Sequence, residues 1–321
     1  MNARPQKPVK VGVSRCLTGA AVRYDGTSAY TSLPHDRLDG LFEYIDVCPE
    51  MGIGLPAPRT PIRLVRDGNR IGVFALDGSE DFGPALQTFG EHFVASYPDI
   101  CGFIFMHNSP SCGMRQVKCV ATTGGPPQRT GQGAFARAVM ATNPLLPCED
   151  AGRLYQPILR ENFVARVYVY AHWQAVANDL NVEALVVFHS TYKYLFKAQS
   201  PVCYRKACDL LAKLEEGRVN LNDAATGYAE FLMQGLGQLA TRASHVDVLI
   251  ELDLLVAKQL DPASRLEVSK AIEGYRLGDE PLLTPVSLLK RNLQAYPNEY
   301  TGLQAYLEPP PGRQDLGGLD R

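Results

Sequence analysis

VKVGVSRCLTGAAVRYDG, residues 9–26, sets the architecture of the first half of this chain. Val9 to Val13 is a short apolar run, long enough for a buried strand and too short for a helix. It gives way to a turn that holds Cys16 and ends near Gly19. The same pairing returns twice. Tyr44 to Val47 runs into VCPEMGIGLPAPRTP, residues 47–61, with Cys48 at the end of the run. Gly102 to Met106 runs into the turn HNSPSCG, residues 107–113, which carries Cys112. Ile71 to Phe74 reads as a further strand, and residues from about 80 to 97 and from about 131 to 142 read as helices. Strand, long connection, strand predicts an α/β domain whose mainly parallel sheet is flanked by helices. Ligands of such sheets sit beyond the carboxyl ends of the strands. Topology alone therefore brings Cys16, Cys48 and Cys112 to one edge.

At 321 residues the chain exceeds a single ordinary core, so two domains are expected. Charged residues make up 21% and hydrophobic ones 45%, the balance of a globular protein. With 32 basic against 34 acidic residues, bulk charge does not drive nucleic-acid binding, which leaves only local basic patches. The start, MNARPQKPVKVGV, shows no apolar core of a secretory signal, and no run is long enough to cross a bilayer. The expectation is a cytoplasmic protein whose eight cysteines are free, catalytic or metal-bound.

Pro144, Pro147, Gly152 and Pro157 mark a linker, and the boundary is placed at 150: residues 1–150 form the α/β domain and 151–321 an all-α domain. Past the linker the apolar period is helical. Leu159, Phe163, Val167 and Ala171 make one stripe, and Leu185, Phe188, Tyr192 and Phe196 another. Ser200-Pro201 and Asp261-Pro262 read as helix caps followed by proline at the first helical position. The tail around Pro309 to Pro311 reads as frayed.

From spacing alone, two metal chemistries fit Cys16, Cys48 and Cys112. An iron–sulfur cluster held by three thiolates leaves one iron open to substrate. A zinc ion with three protein ligands and an open position is the rival, and Cys119 could close that shell as a fourth ligand. Free cysteines are also common core residues, a reading that suits Cys101, Cys119, Cys203 and Cys208 better than the three in turns. Glu50, two residues past Cys48, is placed to shuttle protons beside a metal, or simply to cap its turn. Ser109 and Ser111 flank Pro110 before Cys112, where their hydroxyls could donate to an anionic sulfur or oxygen or serve the turn. Arg23 and Asp25 follow Cys16, and Arg59 lies in the proline-rich stretch after Glu50. These three are candidate substrate contacts. In the helical half His189, Lys193 and Lys197 fall four apart on one helix face, with Arg205 on the next helix. They are candidate phosphate contacts, with Tyr192 and Tyr194 as candidate stacking platforms.

The blocks SRCLTG with RYDG, CPEMGIGLPAPR and SPSCG, in this order, resemble the thiouracil desulfidase family over residues 9–149. LRENFVARVYVY, FHSTYKYLFKAQSP and SLLKRNLQAYPNEYTGLQAYLEP resemble a second, helical family of unassigned function over residues 154–321. The two fused in this order look like the tRNA 4-thiouridine desulfidases. The resemblance implies a [4Fe–4S] cluster on Cys16, Cys48 and Cys112, with one iron left for the thiocarbonyl sulfur. It implies hydrolytic, non-redox removal of sulfur from 4-thiouridine in tRNA, or from a free thiolated base or nucleotide. Glu50 would then be the proton shuttle, and Ser109 or Ser111 its hydrogen-bonding companions. The competing expectation is a nucleic-acid-binding or regulatory protein whose three cysteines hold a structural metal.

Overall fold

A computed structural model of the chain describes residues 8–31, 38, 40–296 and 304–308. The tail at Pro309 to Pro311 lies outside the described residues. The chain divides into two compact units after Gln156.

The first unit runs β1 Val9–Ser14, β2 Phe42–Val47, α1 Pro49–Gly52, β3 Ile62–Asp67, β4 Arg70–Ala75 and α2 Gly83–Ser96. It continues with β5 Gly102–Phe105, β6 Val117–Ala121, β7 Gln128–Gly131, α3 Ala134–Thr142 and β8 Cys148–Asp150. One sheet has the order β2-β1-β5-β8, and every pair in it is parallel. The register pairs Ser14 with Val47, Val13 with Ile104, and Phe105 with Asp150. All four strands therefore end level, and the chain leaves each of them on the same edge. That is the parallel sheet with flanking helices that the apolar runs predict.

A second sheet, order β4-β3-β6-β7, was not foreseen. β3 and β4 form an antiparallel hairpin across Gly68-Asn69, with Gly68 at φ +55° as a tight two-residue turn demands. β3 also pairs parallel with β6, which pairs antiparallel with β7. Leu64, Val73, Val117 and Cys119 fill the core beneath it together with Leu86. Cys119 is thus a small core residue at 3% exposure, which corrects its reading as a possible fourth metal ligand. The segment expected to be a linker also contains structure, since β8 closes the first sheet from within it.

Packing on the parallel sheet centres on Phe135 of α3. Its ring meets Phe89 and Phe93 of α2 and Phe103 and Phe105 of β5, at centroid separations of 5.7 to 6.2 Å. Phe135 is fully buried. Replacing it by alanine removes that packing and leaves a void, so Phe135→Ala is expected to cost about 3–5 kcal/mol of stability. Chemical denaturation of the two proteins checks this.

The second unit is helical: α4 Pro157–Asn178, α5 Val182–Gln199, α6 Pro201–Glu215, α7 Leu221–Leu236, α8 Arg242–Leu254, α9 Pro262–Leu277 and α10 Leu283–Ala295. The caps fall where the sequence places them. Ser200 accepts from the Cys203 N–H at the start of α6, and Asp261 accepts from the Ala263 and Ser264 N–H groups at the start of α9. Each has proline in the first helical turn. Trp173, Phe188 and Tyr228 pack together as one aromatic centre. A second cluster gathers Val248, Leu249 and Leu252 of α8 with Val268 of α9 and Leu289 of α10. No helix among the described residues is long and apolar enough to cross a membrane.

Candidate functional site

The level strand ends open onto a cavity of about 490 Å³. Cys16 reaches it from the 3-10 turn Arg15–Thr18 that directly follows β1. Cys48 reaches it from the cap position of α1, directly after β2, and Cys112 from the loop after β5. Three walls thus contribute one thiol each. Among the described residues no three or more His, Cys, Asp or Glu side chains are gathered tightly enough to hold a metal ion.

The thiols are shielded. Burial first, and the neighbouring Cys48 second, push the Cys16 thiol up to about 11. Burial likewise raises Cys112 well above the usual thiol range, against a hydrogen bond from Ser14 that favours the thiolate. Cys48 makes only a loose 3.9 Å contact to the Val22 carbonyl. Without cationic help, burial keeps Cys16 and Cys112 as neutral thiols at pH 7. A bound cation reverses that balance, because thiolate is the soft ligand that iron–sulfur chemistry uses.

Loop geometry explains how Cys112 is fixed. Ser109 Oγ accepts from the backbone N–H of Ser111 at 3.2 Å and of Cys112 at 3.0 Å. The first turn of α3 then grips the loop from below: Ala134 N–H donates to the Pro110 carbonyl and Ala136 N–H to that of Ser111. Gly133 is required there, since a Cβ would lie 2.4 Å from the Ser111 oxygen. Ser109 lines the cavity, but its hydroxyl is engaged in shaping the loop.

Glu50 lines the cavity two residues past Cys48, and both of its oxygens are engaged. Oε2 accepts from Arg59 Nε and lies 2.7 Å from Arg59 Nη2. Oε1 accepts from the fully buried Ser111 hydroxyl at 2.8 Å. The pair is well shielded, with side-chain exposures of 13% for Glu50 and 6% for Arg59. Ser111 therefore faces Glu50, and Arg59, read from the sequence as a substrate contact, is first of all the partner of Glu50. The backbone N–H of Arg59 donates to the Tyr24 carbonyl at 2.8 Å, which ties this pair to the loop after Cys16.

On that loop Arg23 lines the cavity and donates to Thr27 Oγ1 at 3.2 Å. Asp25 does not line it. The Asp25 carboxylate accepts from the Thr27 hydroxyl and N–H, closing the turn that presents Arg23. The Thr27 hydroxyl is the main reason its carboxyl lies below the usual range. Residues missed by the sequence reading also line the site: Ser14, Met106, His107 and Asn108. A polar residue at the carboxyl end of an apolar strand was the available signal for Ser14 and His107.

The basic helical face is less open than its spacing implied. Lys197 of α5 pairs with Glu251 of α8. His189 bonds Tyr228 through Nδ1 at 3.2 Å and stacks on Tyr204. Burial, aided by Lys193, holds it down to about 4, so the ring is neutral at pH 7. Lys193 lies 4.6 Å over the Tyr194 ring. Tyr192 and Tyr194 are each 5% exposed, which corrects their reading as stacking platforms. Arg205 and Lys206 on α6 are exposed.

Residues 11–151 match the family described as 2-thiouracil desulfurase, and residues 193–311 match the family described as protein of unknown function DUF1722. The Escherichia coli (strain K12) protein recorded as uncharacterized protein YbgA is 30% identical over 125 residues, which are 39% of this chain and 73% of that protein. A solved structure of a [4Fe–4S]-dependent thiouracil desulfidase, TudS, is 26% identical, is covered over 97% of its length by 47% of this chain, and gives a TM-score of 0.39. The chain belongs to the family of YbgA and carries, ahead of its DUF1722 region, a domain of the 2-thiouracil desulfurase family.

Proposed function

We propose that the protein is a [4Fe–4S]-dependent desulfidase that converts a thiouracil base to uracil with release of sulfide, and that its substrate is 4-thiouridine in tRNA. The observation that carries this reading is the convergence of Cys16, Cys48 and Cys112 with Glu50 on one cavity, in the domain that matches the 2-thiouracil desulfurase family. The donor set fits a cluster. A single zinc ion at ~2.3 Å per sulfur draws its thiolates to within about 4 Å of one another. Cys16, Cys48 and Cys112, each from a different loop around the cavity, would hold a four-iron cluster. When bound, the cluster supplies a Lewis acid that polarises the carbon–sulfur bond.

The protein's own residues supply the rest. Water adds to the thiocarbonyl carbon, the carbon–sulfur bond breaks, and the oxygen stays: thiocarbonyl plus water gives carbonyl plus hydrogen sulfide, with no net redox change. Glu50 takes the proton at the cavity surface. Ser111 and Arg59 hold the carboxylate in place, and Ser109 holds the backbone beside Cys112. Arg23 binds the base or its phosphate at the cavity wall. In the helical unit, exposed Arg205 and Lys206 contact tRNA phosphates, with Lys193 as a further contact. Lys197 and His189 support that surface from within.

The test is anaerobic purification, reconstitution with iron and sulfide, and incubation with thiolated tRNA or with free 2-thiouracil. Sulfide release from tRNA that requires the visible band of the cluster is the expected outcome. Release from the free base alone removes the tRNA part of the reading. A protein that binds zinc and releases no sulfide points to the structural-metal alternative. For Arg205→Glu with Lys206→Glu, tRNA affinity is expected to fall about tenfold or more. The slope of log affinity against log salt should drop by about one for each lost contact.

A further inference from the structure

We propose that His107, oriented by the buried carboxylate of Asp150, is a second proton-transfer group of the cavity; this rests on the desulfidase reading and adds a residue pair to it. His107 lies on the loop after β5 and lines the cavity together with the thiols and Glu50. Its ring also borders the end of β8, since a Cβ built on Gly152 would lie 3.6 Å from His107 Nδ1. Asp150, two residues before Gly152, is the last residue of β8 and pairs in register with Phe105, two residues before His107.

Asp150 is poised for such a partner. Its side chain is 8% exposed, and Oδ2 lies 3.3 Å from Arg115 Nε. Oδ1 is buried with no hydrogen-bond partner. A buried carboxylate oxygen without a donor is unfavourable, and native structures seldom keep one without a reason. Burial pushes the Asp150 carboxyl up, and the charge of His107 acts against that rise. The other charged groups acting on Asp150 are Arg115, Glu149 and Arg153. Arg115 and Arg153 are both drawn to Glu149, at 2.8 and 3.0 Å. Next to His107, Arg129 is held by Asn108 Oδ1 at 2.9 Å.

The chemistry needs two proton movements, and Glu50 is already tied to Arg59 and Ser111. In the addition step a water oxygen bonds to the thiocarbonyl carbon, and its proton passes to His107 Nε2. Nδ1, on the side of the ring next to the end of β8, keeps its proton meanwhile. In the breakdown step the adduct's hydroxyl proton passes to Glu50 as the carbonyl forms, the carbon–sulfur bond breaks with its electron pair on sulfur, and the imidazolium and then Glu50 each give one proton to the departing sulfur, which leaves as hydrogen sulfide. Atoms and electrons balance without an oxidant or reductant.

The first test needs no turnover. The imidazole nitrogen resonances of His107 are compared by NMR in the cluster-free protein and in Asp150→Asn. Removing the carboxylate is expected to shift the balance of the two neutral tautomers away from Nδ1–H. An unchanged tautomer balance overturns the positioning role. In the reconstituted enzyme, His107→Gln is expected to lower kcat about 100-fold with KM little changed. Asp150→Asn is expected to lower kcat less than His107→Gln does, again with KM little changed. His107 is exposed, so its replacement does not threaten folding. Full kcat in His107→Gln overturns the proposal. A wild-type protein that releases no sulfide defeats the desulfidase reading instead, while the NMR comparison still decides the pairing.

Discussion

Cys48→Ala protein is expected to leave anaerobic reconstitution with no visible iron–sulfur band and no sulfide release from thiouracil. The physical case is that a cluster with three protein ligands has no spare anchor. A mononuclear site that loses one ligand of four can recruit water, whereas in the proposed cluster the iron without a protein ligand would be the one left for substrate. The fold should survive the change. Cys48 is half-buried, its thiol makes only the 3.9 Å contact to Val22, and the turns of α1 are held by backbone bonds such as Gly52 N–H to the Cys48 carbonyl. Circular dichroism and the melting curve of the cluster-free protein should therefore match wild type. Cys119→Ala is the contrasting variant. That thiol belongs to the buried cluster that includes Leu64 and Val117, so its loss should lower stability and leave the cluster band in place. A Cys48→Ala protein with normal sulfide release would show that the three thiols do not act as one set.

Why the cysteine edge was legible is clear from β1, β2 and β5. Each is a short apolar run that ends in a turn, and parallel pairing then leaves the chain no other place to put the following residues. Caps were legible for a similar reason, because Ser200 and Asp261 act on N–H groups two or three residues away. The second sheet was not. β3 reads IRLVRD, and its two arginines hide an alternation whose only deeply buried member is Leu64. β8 is harder still. Cys-Glu-Asp in a proline-rich stretch reads as a loop, and it is buried because Arg115 and Arg153 neutralise it. The partners of Glu50 divide the same way: Arg59 is nine residues off, while Ser111 is 61 residues away. On α5 the regular spacing of His189, Lys193 and Lys197 identified one face correctly. What it did not reveal was Glu251 on α8 or Tyr228 on α7, which engage two of the three. Local chemistry is written in local sequence, whereas charge partners separated by tens of residues depend on packing.

Glu50→Gln is expected to keep the cluster band and lose turnover by about 10²–10⁴-fold, the usual worth of a positioned acid–base group. The substitution is close to isosteric, so the geometry it disturbs is small. The amide oxygen can still accept from Arg59, and the amide N–H2 can donate to the Ser111 hydroxyl, reversing the sense of the present 2.8 Å bond. What is lost is the charge and the capacity to take up a proton. Arg59, whose side chain is only 6% exposed, is left with a neutral partner, so a loss of about 1–3 kcal/mol in stability should accompany the change. That cost separates two explanations of lost activity. If Glu50 merely anchors the Arg59 loop, Ser111→Ala and Glu50→Gln should reduce activity in proportion to the stability each removes. If Glu50 moves the proton, Glu50→Gln should fall far below that line, because Ser111→Ala leaves the carboxylate intact. Steady-state kcat for both variants, set beside their denaturation midpoints, distinguishes the cases. Near-normal kcat in Glu50→Gln would take Glu50 out of the proton path and leave His107 as the group in the cavity to carry it.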